Sequence, residues 1–323
     1  TLYHLIFVVK IKNNMKVCIL GSGLSALTLA KALVNEKIYV DITLTKNVHK
    51  TNHSRTLGIS KSNFEYFNQN IINIEKIIWK LKKIEIFNDH LKNEKLLNFR
   101  NNNDQLFSII KNFQLHRILE KSLAKNKYFK KIKFENNFKG LDRYDIIINT
   151  DYSNKITKKY FNKKIEKLYN SYAHTTIIRH EKIANDVAIQ IFTKNGPIAF
   201  LPISNTSTSI VYSIHNSKDT KKLNITDSIS YYNPKYKIKK INNIESFELK
   251  SFILRSYYYK NILAFGDLLH RLHPLAGQGF NMTIRDIKIL VKLIKKKINL
   301  GLPIDSSINK EFEKNQKHKN YIF

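Results

Sequence analysis

The run KVCILGSGLSALTLAKAL, residues 16–33, determines the fold that we expect for this chain. Its first five residues are a short, mostly apolar stretch that favours a strand, and the apolar spacing from Leu27 onward favours a helix. A second strand is predicted at residues 39–45, which completes a β-α-β unit. Because this unit follows Met15 directly, we expect the natural start there and an irregular extension at residues 1–14.

Glycines separate the strand from the helix in the pattern GxGxxA. Gly21 permits a tight turn, Gly23 lets a pyrophosphate approach the backbone, and the small side chain of Ala26 allows the helix to pack closely on the strand. The helix then offers free N–H groups and a positive dipole end to an anion. The position between strand and helix is the one that a dinucleotide-binding fingerprint requires, and an ordinary glycine-rich turn is the alternative.

Composition restricts the classes of protein that need to be considered. The chain has 323 residues, 42% of them hydrophobic, so a packed core is expected, and its net charge is +31. That charge favours an anionic partner, either nucleic acid or an acidic membrane surface. Lysines are spread along the whole chain and no nucleic-acid signature occurs, so we expect no nucleic-acid partner. The single cysteine, Cys18, excludes an intrachain disulfide and favours a reducing, cytoplasmic location.

The rest of the chain alternates between helical and extended patterns. Apolar residues at helical spacing predict a helix within residues 71–81, and strands are predicted at 84–87 and 144–149. An amphipathic helix is predicted at residues 113–124, antiparallel strands at 171–215, a further strand at 247–259, and a long helix at 283–300. This pattern predicts a mixed α/β fold in which an antiparallel sheet is inserted into a nucleotide-binding half.

A second informative run is FGDLLHRLHPLAGQGFNM, residues 265–282. The spacing of His270 and His273 suits a metal site or a catalytic histidine pair. The sequence places no third ligand nearby, so no metal site is expected. A glycine-rich cradle for a larger ligand is the third interpretation, and the family resemblance favours it.

The run resembles the second FAD motif of the group A flavoprotein monooxygenases. It is most similar to that of the ubiquinone-biosynthesis hydroxylases of the UbiH/VisC type, which resemble p-hydroxybenzoate hydroxylase. The segments RTLGIS at 55–60, IIKNFQL at 109–115 and RHE at 179–181 resemble further family segments in the same order. The resemblance implies a Rossmann-like FAD-binding domain at residues 15–70, 100–155 and 260–323, with a substrate domain at 71–99 and 156–259.

The resemblance also implies which residues hold the cofactor. Asp267 would bond the ribityl chain, Arg55 would lie near the pyrophosphate or the ring edge, and Asn112 would lie near the flavin. The backbone from Pro274 to Asn281 would wrap the ring. The implied FAD-binding residues are Gly21, Gly23, Ala26, Arg55, Asn112, Asp267, Pro274, Gly277, Gln278, Gly279, Phe280 and Asn281. No side chain is identified as catalytic.

By the same resemblance, NADH or NADPH reduces FAD, and the reduced cofactor uses O2 to hydroxylate a phenolic ring. The implied substrate is a polyprenylated phenol of ubiquinone biosynthesis. The expected partners are a quinone-biosynthesis complex and the surface of an anionic inner membrane, which the protein would contact peripherally.

Several departures from the family pattern support an alternative, a degenerate flavoprotein that acts as a scaffold. The strand at 39–45 carries no acid at its end, where Thr45 is a weaker hydroxyl donor. Tyr152 replaces a family glycine, and a tyrosine would be strained there if the turn needed a positive φ; Leu268 and Leu269 replace alanines. The segment between Ala124 and Tyr144 is short, and the chain stops early relative to the family.

Overall fold

A computed structural model of the chain describes residues 15–43, 54–89, 95–100, 105–133, 140–216, 223–271 and 278–321. The predicted extension at 1–14 lies outside these residues. The elements of the first half are, in chain order, β1 (Lys16–Leu20), α1 (Leu24–Asn35), β2 (Tyr39–Thr43), β3 (Thr56–Ser60), α2 (Lys61–Asn70), β4 (Ile78–Leu81), β5 (Lys83–Asn88), β6 (Lys95–Arg100), β7 (Phe107–Lys111), α3 (Asn112–Ala124), β8 (Phe129–Ile132), β9 (Ile146–Asn149) and α4 (Lys155–Tyr160).

The second half begins with the longest strand. Its elements are β10 (Lys164–His180), β11 (Val187–Thr193), β12 (Gly196–Ser204), β13 (Ser207–His215), α5 (Ile225–Tyr231), β14 (Ile238–Ile241), β15 (Glu245–Leu254), β16 (Tyr258–Tyr259), β17 (Ile262–Ala264), β18 (His270–Arg271), α6 (Gln278–Asn299) and α7 (Ser307–Tyr321).

A parallel sheet with strand order β16-β17-β9-β1-β2-β8 forms the first layer, and only the edge pair β16/β17 is antiparallel. Its central strands are apolar because they are covered on both faces; Val17, Ile19 and Ile148, for example, are fully buried. The main hydrophobic core joins this sheet to α1, α3, α6 and α7. The predicted β-α-β unit is confirmed, with its second strand ending at Thr43.

A nine-stranded sheet forms the second layer. Eight of its strands follow the order β18-β15-β10-β13-β12-β11-β5-β6, and β14 pairs with β10. The predicted antiparallel strands within residues 171–215 are confirmed. One face of this sheet packs against Ile229 of α5 and Tyr236, and the core there is separate from the main one.

A small antiparallel sheet with the order β3-β7-β4 lies against the opposite face of the large sheet. The helix predicted within residues 71–81 is wrong, because α2 ends at Asn70 and β4 occupies 78–81. Ile71 and Ile74 are buried in the loop that follows α2, and Leu81 is buried in β4. These apolar residues are three or more positions apart because the loop and the strand each bury some of them, and this spacing resembles that of a helix.

The mixed α/β class predicted from the sequence is confirmed. β4 and β7 pair within the small sheet, whereas β5, β6 and β18 join the large one. The exact domain boundaries stay a prediction. Within the described part of the chain, no helix is both long and apolar enough to cross a membrane.

Candidate functional site

The first glycine loop is held at the carboxyl ends of β1, β2 and β9. The Gly21 N–H donates to Thr43 Oγ1 at 3.0 Å, and Thr150 Oγ1 donates to the Leu20 carbonyl at 2.9 Å. Gly21 has a φ of +115°, and a Cβ there would clash with Thr150 Oγ1. Only glycine fits this turn, as the sequence pattern predicts.

Gly23 stands at the start of α1 in open space. Its φ is −73° and its ψ is 178°, and no atom of the described residues would lie within 4 Å of an added Cβ. No side chain caps α1, and its first turn carries no acidic residue. The helix therefore presents uncapped N–H groups and a positive dipole end beside a glycine surface that a pyrophosphate can approach.

The two motifs, far apart in the sequence, meet at Ser25 and Gly266. Gly266 has a φ of +63°, and a Cβ there would lie 2.7 Å from Ser25 Cβ and 2.9 Å from Ser25 Oγ. Asp267 is exposed although Gly266 and Leu268 on either side of it are buried. The α1 N-terminus and the Asp267 carboxylate therefore border one region, which suits a ligand with phosphate and polyol groups.

Leu268 and Leu269 do not narrow this region. Their relative exposures are 2% and 0%, and both belong to the main hydrophobic core. The Leu269 carbonyl accepts from the Leu254 N–H at 3.1 Å, which fixes the turn to the large sheet. The replacement of the family's two alanines by leucines therefore adds volume to the core and not to this region.

Arg55 and Asn112 are brought together by the small sheet. The Asn112 N–H donates to the Arg55 carbonyl at 3.0 Å, and Arg55 is exposed. On either side of Arg55, Ser54 Oγ lies 3.4 Å from Thr175 Oγ1, and Thr56 Oγ1 lies 2.9 Å from Ser209 Oγ. The arginine segment is therefore anchored on the face of the large sheet that carries the small sheet.

Asn281 has a role that the sequence did not indicate. Its Oδ1 accepts from the Ser60 N–H at 3.0 Å and from Asn63 Nδ2 at 2.8 Å, and its Nδ2 donates to the Gly58 carbonyl at 2.9 Å. The side chain thus ties the first turn of α6 to β3. Phe280 beside it is buried against Phe67, with ring centroids 6.2 Å apart.

Part of the predicted cofactor site lies outside the described residues, namely Pro274, Gly277 and Thr45. Gln278 is the first residue of α6. Gly279 is in the first turn of α6, where no described atom would lie within 4 Å of an added Cβ. This open surface is compatible with a close approach of the flavin ring, and the FAD-binding role of these residues stays a prediction.

Two departures from the family pattern have a structural explanation. Asp41 is committed within its sheet, since Tyr144 Oη donates to its Oδ2 at 2.6 Å. Tyr152 is not strained: among the described residues, the non-glycine positions with positive φ are Lys37, Asn170 and Lys260. The condition under which a tyrosine would strain this turn is therefore not met, because the backbone at Tyr152 does not adopt a left-handed conformation.

The motif histidine among the described residues, His270, makes a buried polar contact with Asp286. Its Nε2 lies 2.5 Å from Asp286 Oδ2, and Gln316 Nε2 donates to Asp286 Oδ1 at 2.6 Å. Both His270 and Asp286 are buried. His273 lies outside the described residues, and the described ranges contain no cluster of three metal-ligating side chains. The pair therefore joins β18 to α6 and α7.

His116 was missed by the sequence analysis. Its Nε2 lies 3.4 Å from the Ser22 carbonyl and its Nδ1 lies 3.4 Å from Glu120, which places α3 against the first glycine loop.

Burial shifts the pKa values of two side chains near this site. Burial, and then the nearby Arg179 guanidinium, lower the pKa of Lys111, the residue before α3. Burial raises the pKa of Cys18 to about 12, so its thiol is unreactive at neutral pH.

Comparison with known proteins agrees with this geometry. Residues 181–299 match the family model described as FAD binding domain. The chain is 25% identical over 189 residues to ubiquinone biosynthesis monooxygenase COQ6 of Drosophila melanogaster, covering 46% of this chain and 40% of the relative. It is 24% identical over 147 residues to ubiquinone hydroxylase UbiL of Rhodospirillum rubrum, covering 42% of this chain and 33% of the relative. The predicted resemblance to ubiquinone-biosynthesis hydroxylases is confirmed.

The structure of PqsL from Pseudomonas aeruginosa, described as a probable FAD-dependent monooxygenase, superposes with a TM-score of 0.77 at 13% identity. The match covers 96% of this chain and 93% of that chain, so the fold of an FAD-dependent monooxygenase is confirmed. The chain spans less than half the length of the two curated relatives: the match covers 40% of the Drosophila COQ6 protein and 33% of the Rhodospirillum UbiL protein.

Proposed function

We propose that this protein is an FAD-dependent monooxygenase that hydroxylates a polyprenylated phenol of ubiquinone biosynthesis with NADH or NADPH and O2. The contact between Ser25 and Gly266 carries the proposal, because it joins the uncapped start of α1 to the exposed carboxylate of Asp267. When bound, FAD accepts electrons from the nicotinamide donor and supplies the oxygen chemistry.

The protein residues would bind and orient this cofactor. The N–H groups at the start of α1 would hold the pyrophosphate, and the Asp267 carboxylate would accept hydrogen bonds from ribityl hydroxyls. Arg55 would contribute positive charge, and the first turn of α6 would direct its dipole at the ring. Asn281 would keep that turn fixed against β3, so the cradle would be formed before the cofactor arrives.

The scaffold alternative rests on one observation about the ribose end. β2 ends in Thr43, whose hydroxyl already accepts from the Gly21 N–H, and Asp41 is bonded to Tyr144. Neither residue offers a free carboxylate to a ribose. A lower affinity for FAD would follow, whereas a scaffold would bind none.

Flavin reduction distinguishes the two functions. Purified protein incubated with FAD and desalted should be yellow, and NADH or NADPH should bleach the flavin absorbance under anaerobic conditions. Return of the yellow colour on admitting air would show that O2 reoxidises the cofactor. A colourless protein after incubation with excess FAD would contradict the enzyme and leave the scaffold.

Asp267→Ala tests the ribityl assignment. We expect the Kd for FAD to rise about 10-fold, since a hydrogen bond to a charged group contributes about 1.5 kcal/mol or more. Asp142→Ala is the control, because Asp142 lies in the turn before β9, outside the motifs. Flavin fluorescence titration measures both, and an unchanged Kd for Asp267→Ala would refute the assignment.

The expected partners follow the same proposal. Relatives named as ubiquinone-biosynthesis enzymes favour a quinone-biosynthesis assembly, and the net charge of +31 favours peripheral contact with an anionic inner membrane from the cytoplasmic side.

A further inference from the structure

A row of half-buried or exposed side chains crosses the large sheet from its outer edge toward Ser54 and Arg55. Strand register places Leu97 opposite Ile86, Ile86 opposite Gln190, Gln190 opposite Ala199, and Ala199 opposite Val211. We call these five residues the apolar row. Val211 pairs with Thr175, whose hydroxyl lies 3.4 Å from Ser54 Oγ beside Arg55.

The apolar row is accessible, unlike the residues that alternate with it. Ile86, Gln190, Ala199 and Val211 are all half-buried, and Leu97 is 53% exposed. Their neighbours along the strands, such as Ile189, Phe200 and Ile210, are buried on the other face of the sheet. Among the described residues, the sheet therefore has one face closed by a hydrophobic core and one on which a line of mostly apolar side chains remains accessible.

The small sheet covers the parallel row next to this one. Ile84 and Leu201 of the large sheet pack with Trp79 and Phe107 of the small sheet. On the other side of the apolar row, Phe192 is exposed on β11. The apolar row therefore lies between the small sheet and an exposed aromatic ring, and it crosses four strand spacings, about 19 Å.

We propose that the apolar row binds the hydrocarbon tail of the substrate, and that the tail leaves the protein over the edge strand β6 at Leu97. This proposal rests on the proposed function, which supplies a phenolic substrate with such a tail. The inner end of the row lies at Arg55, where the phenol ring would be held, and the outer end is open because β6 is the last strand of the sheet. A linear chain would cover the apolar residues in turn, and burial of each methylene favours binding.

Tail binding can be measured without turnover. Isothermal titration calorimetry of the FAD-loaded protein would compare 2-farnesylphenol with 2-methylphenol, both below the concentration at which the farnesyl compound aggregates. We expect the farnesyl compound to bind at least about 30-fold more tightly, because its additional methylene and methyl groups reach the row.

Leu97→Lys and Ala199→Phe should each reduce that preference about 10-fold and leave the Kd of 2-methylphenol unchanged. Asn98→Lys is the control, since Asn98 is exposed on the same strand and pairs with Glu85, so alternation places it on the opposite face. An unchanged preference in both variants, or an equal loss in Asn98→Lys, would overturn the tail site. Hydroxylation is followed separately by oxygen uptake, so a protein that binds the tail without turnover contradicts only the proposed function.

Discussion

Gly23→Asp is expected to abolish FAD retention and to leave the protein folded. The φ and ψ at Gly23 suit an N-cap aspartate, and the position is open, so the new carboxylate would accept from the uncapped N–H groups of α1. The same carboxylate would occupy the proposed pyrophosphate site with a like charge. Two charges 4 Å apart near a protein surface interact by about 4 kcal/mol, so we expect FAD affinity to fall by about three orders of magnitude.

Two further variants identify the cause of the loss. Gly23→Ser caps the helix equally well without a charge, so it should lose less affinity than the aspartate variant. Gly21→Ala should instead destabilise the cofactor-free protein, because φ is +115° and the Cβ would clash with Thr150. Flavin fluorescence gives the affinities and thermal unfolding of the cofactor-free protein gives the stabilities. Retention of FAD by Gly23→Asp at the wild-type level would show that the pyrophosphate lies elsewhere.

The sequence predicted the elements better than it predicted the contacts. Gly21 and Gly23 lie where the fingerprint requires them, because strand-glycine-helix punctuation is a local property. The contact between Ser25 and Gly266 joins residues 241 positions apart, and no spacing along the chain encodes a distance of that kind. The resemblance could propose one cradle, but only the folded backbone brings the two motifs together.

Side-chain direction explains most of the remaining differences. Leu268 and Leu269 follow a glycine with positive φ, and the resulting turn directs both into the core while Asp267 stays outside. A sequence motif does not encode side-chain direction, so it cannot separate Asp267 from Leu268 and Leu269. The resemblance gave Asn281 a role through its backbone, which would wrap the flavin ring. Its side chain makes the hydrogen bonds that hold β3, and nothing in the local sequence distinguishes these two roles.

Asp286→Ala is expected to lower the free energy of unfolding by about 3 to 5 kcal/mol, since each of two buried polar groups left without a partner costs about 1 to 3 kcal/mol. Asp286 is fully buried and accepts from Gln316 on α7, while its other oxygen lies 2.5 Å from His270. Without it, two buried polar groups lose their partner, and both must be desolvated without compensation. Urea unfolding of the cofactor-free protein measures the change.

An exposed carboxylate is the control for Asp286→Ala, because removing a carboxylate at the surface should not lower the free energy of unfolding as much as removing a buried one. Asp305 lies 2.9 Å from Lys297 and also accepts from the Ser307 N–H at 3.1 Å, but its side chain is 53% exposed, so Asp305→Ala should cost at most about 2 kcal/mol. Asp286→Asn should fall between the two, since its amide oxygen can still accept one of the two hydrogen bonds. If Asp286→Ala and Asp305→Ala cost the same, then His270 and Asp286 do not stabilise the junction of β18, α6 and α7. The FAD affinity of Asp286→Ala then reports whether that junction also positions the second motif, because a purely local role would leave the affinity unchanged.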